Sequence, residues 1–471
     1  MELSKVLNYK YLLLLPIGYL IAYIIQYSGL DPLIYLIFIG GIIVTIIHPK
    51  TGIYLWIILL LIFDDIPFNL KTQGQFISIF NASIAGQTLT KLLSLFFLVL
   101  IGAEIIKTKK IILGNSFFKI FSALFLTAII TGIFNGNTSY IKPFITDFRF
   151  FLNFIIGFYI VVYFLKENQN FERIIPIMSI IFIVKTITLI ILSITLAQSQ
   201  KLYTITADTG SYLGVFVNLF FIYLIIYQKK YKLFGIIGLF LGLLILGISA
   251  SRGRFVILGM AIFLYLFSIR KAKYFPIFIG IAALILLIIP FVSPEMYNFL
   301  IWKLTSFKPE EGRGESSFVR FVEFANILNQ NFSTPKSFIL GEGLGGYWNS
   351  KFLFYPFDLK GTTSYPNDWI RNDQFFKPHG IVQFLLLKNG FVGACIFYIS
   401  LFVLFIKARK KYYENIKINP TITHMIIILT AGMIPFYLVA FSAKLQLMGG
   451  ILFGIFYCYS KKIEIEKSNS N

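Results

Sequence analysis

The feature that most constrains this chain is a series of apolar runs, each close to the length of a membrane-crossing helix, divided by short polar breaks. A bilayer core of about 30 Å offers the backbone no water to bond with, so a chain entering it must satisfy its own N–H and C=O groups, as a helix of roughly 17–25 residues does. A hydrophobic content of 57% exceeds the roughly 45–50% of soluble domains. The sequence therefore predicts an all-α, polytopic integral membrane protein. Spans are expected near 11–27, 33–47, 52–63, 91–105, 117–134, 149–165, 174–194, 213–227, 233–249, 255–269, 275–291, 380–406, 424–440 and 445–460. The run at 52–63 is short enough to be re-entrant, so twelve to fourteen spans are expected, with both termini on the cytoplasmic side. Three regions follow: N-terminal transmembrane helices over 1–291, one large external loop containing helices over 292–379, and C-terminal transmembrane helices over 380–471 with a short cytoplasmic tail.

A net charge of +21 raises the question of nucleic acid, and the distribution of charge answers it. The basic residues form short clusters between spans: Lys107, Lys109 and Lys110; Lys229, Lys230 and Lys232; Arg270, Lys271 and Lys273; Lys407, Arg409, Lys410 and Lys411; Lys461 and Lys462. Clusters after alternate spans are what positive-inside orientation produces. The long loop carries as many acidic as basic residues, and no basic surface is joined to a soluble fold, so nucleic acid is not an expected partner. Cys395 and Cys458 fall in spans and predict neither a disulfide nor a metal site. Lys5 and Lys10 precede an apolar run that reaches Tyr27 without a small-residue cleavage site, the pattern of an uncleaved signal-anchor.

Under this topology the outer face receives Asp64–Thr90, Asn135–Asp147, Ala197–Tyr212, the turn Ser251-Arg252-Gly253-Arg254 and the long loop. The turn joins two spans almost directly, so Arg252 and Arg254 lie at the outer interface. A charge near the bilayer centre costs at least ~2.5–3.5 kcal/mol, so these arginines need an anionic partner or a wet cavity, or must snorkel to headgroups.

In the loop, Phe318, Phe321, Phe324 and Leu328 follow helical spacing, predicting a helix over Ser316–Gln330 in which Arg320 and Glu323 can pair. Pro335 closes it. Gly341-Glu342-Gly343-Leu344-Gly345-Gly346 formally matches GxGxxG but lacks a βαβ setting. A tight turn is the expectation, with a backbone phosphate cradle as the other reading. Tyr347–Lys377 is rich in aromatic, Asn, Asp and Gly residues, a mix suited to sugars, with Trp348 and Trp369 as candidate glycan contacts. Such aromatics equally suit an interfacial belt. His379 then stands before the next span, followed by Gly390-Phe391-Val392-Gly393, whose glycines allow close helix approach.

Three features in this order resemble the bacterial O-antigen ligase/polymerase family of membrane glycosyltransferases: Ser251-Arg252-Gly253 opening a span, Arg320 followed by Gly341–Gly345, and His379 with Gly390 and Gly393 beyond it. Together they cover about residues 250–395; the earlier spans match in hydropathy alone. The chain departs at Gly380, where the family usually has Asn, Ser or Gln. The resemblance implies a bacterial inner-membrane enzyme with its site on the outer, periplasmic face, needing no metal or other cofactor. Its donor would be an undecaprenyl-pyrophosphate-linked glycan, which it transfers to a glycan acceptor. Arg252 and Arg320, with Arg254 beside them, would bind the pyrophosphate, and His379 would be the catalytic base.

The residue chemistry suits that reaction. Departure of a pyrophosphate needs charge stabilisation, which permanently ionised bidentate guanidinium supplies, and the attacking hydroxyl needs a base such as imidazole. Polymerisation of lipid-linked repeats is the first expectation, with a chain-length-regulating membrane protein as a further partner. The alternatives are a ligase handing finished glycan to a lipid core or protein, a metal-dependent transferase built on Asp64-Asp65, and a flippase or other transporter suggested by Lys185 within its span.

Overall fold

Apolar runs that have no other way to satisfy their backbone become helices, and helices dominate the computed structural model. It describes residues 31–62, 83–84, 87–166, 170–195, 213–249, 252–292, 315–354, 365–439, 441 and 443–470. In chain order the helices are α1 (Asp31–Ile47), α2 (Pro49–Ile62), α3 (Leu89–Thr108), α4 (Ser116–Phe134), α5 (Ile141–Ile160, prolonged by a π turn over Val161–Leu165) and α6 (Ile174–Thr195). Then follow α7 (Gly214–Tyr227), α8 (Lys232–Ser249), α9 (Arg252–Ser268), α10 (Phe275–Val292), α11 (Glu315–Ser333), α12 (Pro335–Leu340), α13 (Asn367–Arg371), α14 (Ile381–Asn415), α15 (Pro420–Phe436) and α16 (Ala443–Ser470). The described strands are a two-residue hairpin, Ser83–Ile84 with Gln87–Thr88. Among the described residues four helices are long and apolar enough to cross a membrane: α3, α4, α5 with its π turn, and α14.

The centre of the bundle is aromatic. Phe118 meets Phe158 at 4.1 Å and Phe121 meets Phe154 at 4.2 Å between ring centroids, with Phe397 and Phe453 closing around them. Helices α5 and α16 pack backbone against backbone. A Cβ on Gly157 would collide with the backbone of Leu447, and one on Gly450 with that of Phe154, so the two backbones approach to a distance that only small residues permit.

The bundle has two chemically distinct ends. At one end the basic clusters gather: Tyr163 donates to Lys110 O (2.7 Å), Lys462 meets Glu172 (2.6 Å), Lys411 meets Glu464 (2.7 Å), and Tyr413 donates to Ser268 O (2.7 Å). At the other, the segment 341–346 lies between the end of α4 and the start of α14.

Several expected bounds move: the helix expected over 424–440 lies at Pro420–Phe436, the one expected over 445–460 runs on through the expected tail to Ser470, and two further changes shape the site. The helix expected from 149 begins at Ile141, so the segment 135–147 contracts to a single turn of 3-10 helix over Asn137–Ser139. The span expected over 380–406 is broken at Gly390, whose φ of 71° and ψ of 177° interrupt α14. A short buried arm over 381–389 therefore precedes the long segment 391–415. The break exists because the backbone of α12 occupies the space beside Gly390: a Cβ there would sit 2.7 Å from Gly341 N and Phe338 O. Close approach at this glycine thus admits a loop helix and bends the span.

Candidate functional site

The site is built on α11, and on a face other than the one its phenylalanines suggest. Phe318 and Phe321 are exposed, while Val319, Val322, Glu323, Asn326 and Ile327 are buried. These recur at three- and four-residue spacing, so they form one stripe. Two of its members are polar, and each is satisfied by a distant segment. Asn326 accepts from Phe352 N (3.1 Å) and Leu353 N (2.9 Å) and donates to Leu353 O (2.7 Å). Glu323, fully buried, grips His379 twice: Oε1 accepts its backbone N–H at 2.7 Å, and Oε2 lies 2.7 Å from Nδ1. The Tyr365 hydroxyl stands 3.1 Å from the same Nδ1 and 3.4 Å from Glu323 Oε2.

This grip sets the tautomer. A carboxylate only accepts, so Nδ1 carries the proton that it shares with Glu323, and the imidazole lone pair falls on Nε2. The His379 side chain is 28% exposed whereas that of Glu323 is fully enclosed, which gives an oriented base at the boundary of a dry interior. Gly380 follows as the N-cap of α14 in extended conformation without a side-chain cap. The amide oxygen of Gln383 lies where a Cβ of residue 380 would be, so a polar group stands beside this glycine, contributed from one turn on.

Arg320 lies on α11 one turn before Glu323. The expected pairing of the two does not form: Arg320 is exposed and makes no ion pair among the described residues, while Glu323 turns inward to His379. Three helical residues turn through about 300°, so the two side chains diverge enough for one to face solvent and the other the interior. Arg252 is the first residue of α9, with its side chain outside the described residues, and Arg254 is half-buried. Both α9 and the long segment of α14 run antiparallel to α15, since Tyr265 and Tyr412 meet His424 at its start and Tyr398 bonds Tyr437 O beyond its end, so both begin at the same end of the bundle. Arg252 and Arg254 therefore share an end with Gly390 and the His379 segment.

The two tryptophans separate. Trp348, expected as a glycan contact, is fully buried, stacks on Phe375 at 4.4 Å and pairs with it through both backbone bonds. That ring holds the loop together and presents no open face to a sugar. Trp369 is half-buried against Phe376 (5.2 Å) and Tyr365 (5.9 Å), beside the His379 pair.

The glycine-rich segment is a turn whose donors are engaged by protein. Glu342 N donates to Leu387 O (2.7 Å), Gly343 N to Lys388 O (3.2 Å), Leu344 N to Ala128 O (2.9 Å) and Gly345 N to Asp147 Oδ2 (2.9 Å). The phosphate-cradle reading is set aside on that ground. Positive φ at Gly341, Gly343 and Gly345 lets the chain thread between helices.

Beneath this turn lies a pair absent from the sequence expectations. Lys388, fully buried, meets Asp147 at 2.7 Å and donates to Gly346 O (2.6 Å) and Phe376 O (3.1 Å). Its ammonium has three donors and three acceptors, which joins α5, the glycine turn, the arm of α14 and the segment leading to His379. A lysine inside an apolar run was the available signal; its partner could not be named without the fold. Lys185 is buried on α6 and donates to Leu61 O at 3.4 Å. Asp64 and Asp65 lie outside the described residues.

Comparison of the chain with family models, with curated proteins and with solved structures gave no match.

Proposed function

We propose that this chain is a polytopic bacterial inner-membrane glycosyltransferase that polymerises undecaprenyl-pyrophosphate-linked repeat units on the outer face. The observation that carries the reading is the 2.7 Å contact of His379 Nδ1 with buried Glu323, one helical turn from the exposed guanidinium of Arg320. The gathering of basic clusters at the opposite end of the bundle supports the orientation, since Lys/Arg-rich ends stay cytoplasmic.

In this reading the acceptor hydroxyl approaches His379 Nε2, and its proton passes to that nitrogen as its oxygen bonds to the anomeric carbon of the donor glycan. The bond from that carbon to the pyrophosphate oxygen breaks, and its electron pair leaves with the polyprenyl pyrophosphate. Arg320, with Arg252 and Arg254 from the start of α9, neutralises the charge that develops there. Glu323 holds the ring and stabilises the imidazolium that forms, the part that a buried carboxylate plays in an acid–base pair. Trp369, at the edge of the pair, supports the sugar.

The test is incubation of the purified chain with a lipid-linked oligosaccharide, without added nucleotide or metal. A ladder of longer lipid-linked glycans is expected. No extension with the repeat unit alone, together with transfer once a lipid-core or protein acceptor is added, replaces polymerase by ligase. Translocation of intact donor without any new glycosidic bond removes the transferase reading.

A further inference from the structure

The cations at the basic end of the bundle differ in what they meet. Lys411, Lys461 and Lys462 each meet a carboxylate within 2.8 Å, and Lys410 lies 4.0 Å from Glu414. Among the described residues the guanidinium groups of Arg270 and Arg409 meet no carboxylate and make no hydrogen bond. They lie instead on aromatic rings: Arg409 over Phe267 at 4.3 Å and over Tyr413 at 5.7 Å, Arg270 over Tyr413 at 4.6 Å. Arg409 Nε is buried and unbonded. Stacking uses the face of a guanidinium and leaves its edge donors for an anion.

Tyr413, which both arginines share, is fixed by its bond to Ser268 O (2.7 Å). Arg270 stands in the left-handed region at φ 57°, where Lys271 N closes the end of α9 on Leu266 O (2.8 Å). That site usually takes glycine, so the chain holds an arginine there against its backbone preference.

Below the arginines the surface is apolar. Phe263 and Phe267 are 44% and 43% exposed on α9, and Phe402 and Ile406 are 53% and 50% exposed on α14. The spacings 263–267 and 402–406–409–413 put each set on one helical face, and Arg270 stands just past the end of α9. Ring contacts of Arg409 with Phe267 and Tyr413 bring the two faces together. We infer that this seam between α9 and α14 is a binding site for an anionic phospholipid, with the phosphate held by Arg270 and Arg409 and an acyl chain lying along Phe263, Phe267, Phe402 and Ile406. A cationic pocket between helices joined to an apolar seam matches a lipid at both ends of the molecule, and cytoplasmic leaflets are rich in anionic lipid. The inference rests on the membrane setting and is independent of the reaction proposed at His379.

The test is thermal unfolding and native mass spectrometry of the full chain in detergent. The probes are phosphatidylglycerol, phosphatidylcholine or inorganic phosphate, added separately. Phosphatidylglycerol is expected to bind and raise Tm, the other two not. Arg409→Gln and Arg270→Gly are each expected to weaken phosphatidylglycerol binding about fivefold. In lipid-free detergent Arg270→Gly is expected to unfold no earlier than the parent, because glycine relieves the backbone. An undiminished response in the double variant overturns the site, as does equal stabilisation by phosphatidylcholine or phosphate. Equal weakening by Lys410→Gln with Lys411→Gln would show diffuse attraction in its place. A Tm loss in Arg270→Gly that is the same with and without lipid would leave Arg270 as a helix-end cation only.

Discussion

Glu323 and His379 stand 56 residues apart in the chain, yet the carboxylate takes both the backbone N–H and the ring Nδ1 of the histidine at 2.7 Å. A double grip of this kind fixes the ring plane as well as the tautomer. It ties helix α11 to the segment that leads into α14, so the loop and the membrane-facing bundle meet at one imidazole.

If that imidazole is the base, His379→Ala should reduce glycan transfer at least about 100-fold, the usual scale of general-base catalysis. Glu323→Gln keeps the side-chain size and an acceptor for the backbone N–H but removes the charge that steadies an imidazolium. It should lower kcat about tenfold or more with KM little changed. Single-turnover transfer assays check both, and unaltered product from the His379 variant would end the base assignment.

Arg320 is exposed and has no internal partner among the described residues, so its removal should spare the fold. Arg320→Gln is expected to unfold within about ±0.5 kcal/mol of the parent while donor KM rises or kcat falls markedly. Arg320→Lys restores the charge without the bidentate fork and should recover only part of the activity. A destabilised variant would show that Arg320 supports the fold in place of the donor.

The Lys388–Asp147 pair is enclosed on both sides, with side chains 0% and 4% exposed. Lys388→Met alone strands a buried carboxylate and should cost about 3–5 kcal/mol. Joining it to Asp147→Leu should return much of that loss, though Gly346 O and Phe376 O still lack their donor. A double-mutant cycle on thermal unfolding reads the coupling, and additive losses would refute it.

Gly390 permits no side chain. Its backbone angles belong to a region that other residues enter at about 1–3 kcal/mol, and a Cβ would press on Phe338 O and Gly341 N at 2.7 Å. Gly390→Ala should therefore undock α12 and the glycine turn. Limited proteolysis should then cut within 335–346, where the parent resists; equal resistance would mean that the break tolerates a side chain.

The sequence by itself determined that the chain is helical and apolar, where each described helix runs to within a few residues in most cases, and that His379 borders an apolar arm. Hydrophobic runs are a local property, read residue by residue, and the bilayer or a bundle interior imposes helix on them regardless of neighbours. Tertiary structure alone decided which polar groups meet. Glu323 could be matched with Arg320 on its own helix, yet burial turned it to His379; Phe318 and Phe321 carried the helical spacing, yet the interior took Val319 and Val322. Trp348 had the chemistry of a sugar platform, but Phe375 covers its ring. Lys388 inside an apolar run announced a partner without naming Asp147. The physical reason is shared: which side chains the interior takes, and which surface satisfies a buried polar atom or ring face, depends on segments that folding brings together from far away in sequence.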